Sequence, residues 1–145
     1  MAFGRHITES AEQTLCLGKA LGRRLSPNTV VAFYGDLGTG KTTFIRGLVE
    51  DATGIDPRMI CSPTFTYLNV YQGKCTLYHF DLYRLPNDKE FFAAGFDEYF
   101  YSGGICCIEW AEKIAGSLPK DSLSVHLSYL GAGQRQIEIL ERGRP

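Results

Sequence analysis

The sequence lacks the features that would tie it to an oxidising compartment or a membrane. Its five cysteines (16, 61, 75, 106 and 107) are odd in number and form no C-x-x-C pair, which argues against a disulfide framework and a zinc site. His6, His79 and His126 are scattered, so no metal cluster is expected beyond an ion that a ligand brings. No apolar run approaches the roughly 20 residues that span a bilayer. The start, Met1-Ala2-Phe3-Gly4-Arg5-His6, is too polar for a secretory signal. A cytoplasmic chain with no membrane partner is expected.

Excess charge is missing as well. Net charge is −1 and the isoelectric point about 6.3. The basic clusters are small, Arg23-Arg24 and then Arg142 and Arg144, and read as helix-end or terminal charges. Strong direct binding of nucleic acid usually needs a basic surface, so it is not expected here. No internal repeat or linker appears, and 145 residues with 44% hydrophobic content suit one globular domain over 1–145.

What is present is a phosphate-binding loop. Gly35-Asp36-Leu37-Gly38-Thr39-Gly40-Lys41-Thr42 fits G-x-x-x-x-G-K-[ST] at every fixed position. A chance match in a chain this long is on the order of 0.5%, so the pattern is read as functional. Thr29–Tyr34 leads in as a buried strand, and Thr43–Glu50 leads out as a helix. The glycines let the backbone come close enough for successive N–H groups to form an anion nest. The helix start adds unpaired donors and the positive end of its dipole. Asp36, Leu37, Gly38, Thr39, Gly40, Lys41, Thr42 and Thr43 are therefore the expected phosphate-binding residues. Lys41 would reach the β- and γ-phosphates, and Thr42 would offer its hydroxyl to Mg²⁺.

Around this loop the elements alternate. Ser10-Ala11-Glu12-Gln13 reads as a capping box, followed by apolar residues at helical spacing until Pro27. Phe65–Tyr71 and Cys75–Tyr83 read as strands of a hairpin turned at Gln72-Gly73-Lys74. Asn87 caps a short helix, Ile105–Ile108 reads as a buried parallel strand, and Leu123, Val125 and Leu127 alternate into a last hairpin turned at Gly131-Ala132-Gly133. The expected fold is α/β, a three-layer P-loop NTPase fold with a mixed, mainly parallel sheet between helices.

Glu109 directly follows the Ile105–Ile108 strand, where an acidic residue holds Mg²⁺ or polarises the attacking water; its competing reading is a helix-start glutamate. Ser62-Pro63-Thr64 offers two hydroxyls that sense a γ-phosphate, or else ordinary turn chemistry. His79 and Asp81 share a strand face. Asp81 is open between a metal-shell or water-orienting carboxylate and a partner for Arg84 or Lys74. Trp110, the one tryptophan, is more often a packing residue at such a position.

On four blocks the chain resembles the TsaE (YjeE) family of bacterial ATPases, which act in making threonylcarbamoyladenosine beside the tRNA anticodon. The blocks are Gly35–Thr43, Ser62-Pro63-Thr64-Phe65, His79-Phe80-Asp81-Leu82-Tyr83-Arg84-Leu85 and Ile108-Glu109-Trp110. The resemblance implies a small ATPase using ATP and Mg²⁺ that joins TsaB and TsaD, meets tRNA only through that complex, and resets it between turnovers. It implies Lys41, Glu109 and Asp81 as catalytic residues, Thr42 and Glu109 as metal ligands, and Trp110 as a support for turnover. Ser62 and Thr64 would form a switch. Ser10, Gly133 and Arg135 would line the adenine pocket. Arg84 is a candidate charge-neutralising arginine in cis, with the partner as the alternative source. Ala111 replaces a proline frequent in the family, and Cys106 and Cys107 replace an aliphatic pair; neither touches the chemistry.

Two rival readings remain: a nucleotide-gated binding module with incidental hydrolysis, and a small-molecule kinase. The kinase ranks lower because no Arg-rich lid follows Glu109. No guanine-reading N-K-x-D pattern is present, which leans towards ATP.

Overall fold

The computed structural model of the chain describes residues 3–36, 38–63 and 66–141. In chain order these form β1 (Gly4–Thr8), α1 (Ala11–Gly22), β2 (Val30–Tyr34), α2 (Lys41–Thr53), β3 (Leu68–Gln72), β4 (Thr76–Asp81), α3 (Asp88–Ala93), β5 (Ile105–Glu109), β6 (Leu123–Gly131) and β7 (Gln134–Glu141). Short 3₁₀ segments lie at Pro57–Met59, Phe96–Tyr101 and Ala111–Ser117.

All seven strands join one mixed sheet in the order β1-β7-β6-β2-β5-β4-β3. The four central strands, β6, β2, β5 and β4, run parallel. The outer pairings β3–β4, β6–β7 and β7–β1 are antiparallel. The expected mixed sheet is thus parallel at its centre and antiparallel at its edges, where the two expected hairpins lie. Connection length accounts for the two hairpins: the turns at Gly73 and at Gly131-Ala132-Gly133 are too short for a crossover and join only antiparallel neighbours. β2 and β5 are covered on both faces, which explains their unbroken apolar runs.

The two faces carry separate cores. Val31, Phe33, Leu77, Ile105 and Cys107 pack under Phe44, Ile45 and Leu48 of α2 and Leu21 of α1. Val30, Ala32, Phe80, Cys106 and Ile108 pack under Phe91 of α3 and Phe100 and Ile114 of the 3₁₀ segments. Helices therefore lie on both faces, giving three layers.

Helix α1 starts as its sequence predicts, with one displacement. The Ser10 hydroxyl accepts the Gln13 N–H at 3.1 Å, while the Gln13 side chain accepts the N–H of Glu9, not that of Ser10, at 2.7 Å. It ends at Gly22, and Arg23 beyond it pairs with Asp51 of α2 at 2.8 Å. The two helices meet along a seam of glycines. A Cβ on Gly18 would run into the Phe44 carbonyl, and one on Gly47 into the Leu15 carbonyl. The glycines thus let the two helix backbones approach closely.

Candidate functional site

Strand parity builds the site. In β5 the residues 105, 107 and 109 face α2, and in β4 so do 77, 79 and 81. The parallel register sets Asp81 beside Glu109 and His79 beside Cys107. The apolar members of this face end where α2 begins, so its last residues, Asp81 and Glu109, come to the level of Lys41. Glu109 is the final residue of β5 and buried, so it is not a helix-start glutamate.

The start of α2 is chemically unfinished. Ser10 caps α1 and Asn87 caps α3 with side-chain oxygens, whereas Gly40 at the start of α2 offers none. Gly40 sits at φ 98°, a left-handed conformation that costs a Cβ-bearing residue about 1–2 kcal/mol. The loop closes on itself through the Thr39 hydroxyl, which donates to the Asp36 carbonyl at 2.8 Å. Lys41 is buried, yet its Nζ has no hydrogen-bond partner. The ammonium lies instead 4.2 Å from the centroid of the Trp110 ring. Trp110 reaches it through a left-handed residue, φ 58°, directly after β5, which turns the indole back over the loop.

Glu109 is held from the sheet side: its Oε2 lies 2.8 Å from His79 Nε2. Asp81 accepts the Tyr83 N–H at 3.0 Å. Burial pushes the Asp81 carboxyl above its ordinary range against that hydrogen bond, and neighbouring Glu109 adds to the rise.

Lys41, Asp81, Glu109 and Trp110 line one cleft of about 450 Å³ with Asp36, Gly38, Gly40, Thr42, Thr43, Ser62 and Arg135. Ser62 is steadied by its neighbour Cys61, whose carbonyl accepts from Tyr71 at 2.8 Å and Asn69 at 2.9 Å. A second cleft of about 210 Å³ opens beside it between Ser10, Thr14, Gly40, Thr43, Gly133 and Arg135. The structure thus brings Ser10, Gly133 and Arg135 together, and Arg135 lines both clefts. Arg84 is exposed and is not among the residues of either cleft. Leu37 and Thr64 lie outside the described residues. A wider hollow of about 580 Å³ touches only Asp36 and Thr39 of the expected residues. Sequence reasoning missed Thr14 in the second cleft and the role of His79; for His79 the one available signal was its parity with Asp81.

The donor set fits a magnesium–phosphate group. Thr42 and the carboxylates of Glu109 and Asp81 are hard oxygen donors, and Mg²⁺ is typically held by one or two carboxylates together with substrate phosphates. The unpaired ammonium of Lys41 and the uncapped helix start fit the anion.

Residues 8–137 match the family model described as "Threonylcarbamoyl adenosine biosynthesis protein TsaE". The chain belongs to the TsaE family. It is 42% identical over 135 residues to a tRNA threonylcarbamoyladenosine biosynthesis protein TsaE of Treponema pallidum, covering 93% of this chain and 98% of that protein. A Bacillus subtilis TsaE is 39% identical over 137 residues, covering 94% and 84%. The fold is similar to a crystal structure of Bacillus subtilis YdiB, with a TM-score of 0.78 and 34% identity over 96% of this chain and 85% of that one. Membership in TsaE places the chain in a family of tRNA threonylcarbamoyladenosine biosynthesis. Among the described residues, no helix is long and apolar enough to cross a membrane.

Proposed function

We propose that this chain is a P-loop ATPase of one domain that binds ATP with Mg²⁺, hydrolyses it, and thereby resets the TsaB–TsaD complex that modifies tRNA. One observation carries the reading: a buried, unpartnered Lys41 ammonium at an uncapped helix start shares a cleft with two carboxylates. An isolated buried ammonium is costly, and a polyanion is the natural partner for it.

Lys41 and the loop amides bind the β- and γ-phosphates and hold them against Thr42 and Thr43. Thr42 and Glu109 would hold Mg²⁺, which would supply neutralising charge at the phosphates. Glu109, fixed in orientation by His79, and Asp81 beside it orient the water for in-line attack. Trp110 holds the Lys41 ammonium within the cleft and shields it from bulk water. The nucleoside enters the smaller cleft between Ser10 and Gly133. Ser62, at the carboxylate end, senses whether the outer phosphate is present. TsaD and TsaB are the protein partners, tRNA is reached only through them, and the setting is the cytoplasm, a reading supported by free thiols at all five cysteines.

Calorimetry with ADP and ATP on wild type and Lys41→Ala tests the core of this reading: affinity falls by about tenfold or more in the variant. Identical heats sink it. Mixing the chain with TsaB, TsaD, tRNA and ATP, and following complex formation with phosphate release, tests the rest. Hydrolysis by the chain alone is slow and rises in the complex; brisk turnover that partners leave unchanged refutes the partner-dependent part.

A further inference from the structure

The two clefts share three residues, Gly40, Thr43 and Arg135. Arg135 is the only charged side chain among the three, and it comes from β7, outside the phosphate loop and its helix. Its position is built by its neighbours. Tyr129, its register partner on β6, supports the guanidinium face with 4.4 Å between Cζ and the ring centroid. The stem passes over the end of the phosphate loop, where a Cβ on Gly40 would lie 3.8 Å from Arg135 Nε and 3.9 Å from its Cγ.

Among the described residues the guanidinium lacks an anion. It is half-buried and has five donor hydrogens, yet among the described residues its one hydrogen bond is a long 3.5 Å contact to the Gln134 carbonyl. Among the described residues no carboxylate pairs with it. A planar fork of donors, held in place and uncompensated beside an anion nest, matches phosphate oxygens better than a neutral heterocycle.

We infer that Arg135 contacts the phosphate chain of the bound nucleotide at its inner, α–β end, and is not a reader of the base. This rests on the nucleotide-binding reading above. The inner end follows from the junction: a nucleotide lying across both clefts passes from nucleoside to phosphates at Gly40, Thr43 and Arg135. Asp81, Glu109 and Ser62 line only the larger cleft and face the outer phosphates. Tyr129 is the platform that keeps the guanidinium at the junction. The site thereby carries an arginine of its own beside Lys41, at the binding end of the phosphate chain.

The test measures the affinity of the full chain for ADP and for inorganic tripolyphosphate, by displacement of a fluorescent ADP analogue, in wild type, Arg135→Ala and Arg135→Gln. The glutamine variant keeps most of the stem, so it carries the test if the alanine variant fails to fold. Both ligands should weaken by about tenfold to a hundredfold, as for loss of a hydrogen bond to a charged group, and Arg135→Lys should recover part of the loss. Loss of ADP affinity with tripolyphosphate unchanged overturns the inference in favour of a base or ribose contact. No change in either ligand overturns it in favour of a packing role. If wild type binds neither ligand, the nucleotide-binding reading itself has failed, an outcome distinct from both.

Discussion

His79 Nε2 lies 2.8 Å from Glu109 Oε2, and the two side chains are only 2% and 6% exposed. With Nε2 engaged by the carboxylate, Nδ1 is left buried without a partner among the described residues. One carboxylate oxygen is thus engaged from the sheet side, while the group stays in the cleft. The arrangement orients Glu109 at the cost of one unsatisfied ring nitrogen.

Replacing His79 with alanine leaves the Glu109 carboxylate buried without a donor, a loss of about 1–3 kcal/mol before any cavity cost. Urea unfolding should show this loss, and His79→Gln, which restores an N–H donor, should recover part of it. Phosphate release in the assembled system should fall far more than ADP affinity, because the proposed function puts Glu109 to work on the water and Lys41 on the phosphates. A His79→Ala protein that unfolds at the wild-type midpoint with wild-type turnover would remove the positioning role.

The Lys41 ammonium over the Trp110 ring makes the one tryptophan of the chain a reporter. A cation over an aromatic face contributes about 0.5–2 kcal/mol, depending on desolvation. Phosphates that draw the ammonium away alter the indole's surroundings, so ADP should change Trp110 emission in a saturable way. Lys41→Ala should shift the emission of the free chain and abolish the response. Emission indifferent to ADP, under conditions where calorimetry records binding, refutes the contact's role in ligand capture.

Asp81 titrates against stability. Burial raises its carboxyl above the ordinary value of 3.8, so the folded chain holds this proton to higher pH than the unfolded one. Between the two values the folded state binds more protons, and stability falls as pH rises through that window. Asp81→Asn removes the ionised form, so its nucleotide-free chain should melt higher than wild type at pH 7. The gain should shrink towards pH 4, and turnover should fall. A variant that melts lower at pH 7 than at pH 4, relative to wild type, reverses the assigned sign.

The phosphate loop and the two central apolar strands were legible because each rests on a local pattern: glycine and lysine spacing in one case, unbroken burial of Val30–Phe33 and Ile105–Ile108 in the other. The Asn87 cap and both hairpins were legible for the same reason. β1 was not. Gly4-Arg5-His6-Ile7-Thr8 is an edge strand with only Thr8 buried, and its pairing with β7 comes from the far end of the chain. The His79–Glu109 bond spans 30 residues and depends on the β4–β5 register, which no local pattern encodes. Lys41 over Trp110 needs a left-handed residue at 110, and tryptophan carries no signal for that conformation. Arg135 was read with the nucleoside because its turn was; only the shared cleft wall brings it to the phosphate loop.

The cysteines give a test of the fold that is independent of ligand. Cys16 and Cys61 are exposed, whereas Cys106 and Cys107 are buried in adjacent positions of β5, facing opposite cores. Burial pushes the Cys106 thiol up to about 12 and raises Cys107 well above its ordinary value. Alkylation proceeds through the thiolate, so at pH 8 Cys106 presents a reactive fraction of only about 10⁻⁴, even before access is considered. Iodoacetamide on the native chain should modify Cys16 and Cys61 within minutes and Cys75, which burial also shifts upward, more slowly. Cys106 and Cys107 should react only on the timescale of unfolding, and urea should make all five equivalent. Peptide mass spectrometry reads the order directly. Rapid native labelling at either β5 cysteine would mean that the central strand is not enclosed between two cores, and the placement of Glu109 at its end would fall with it.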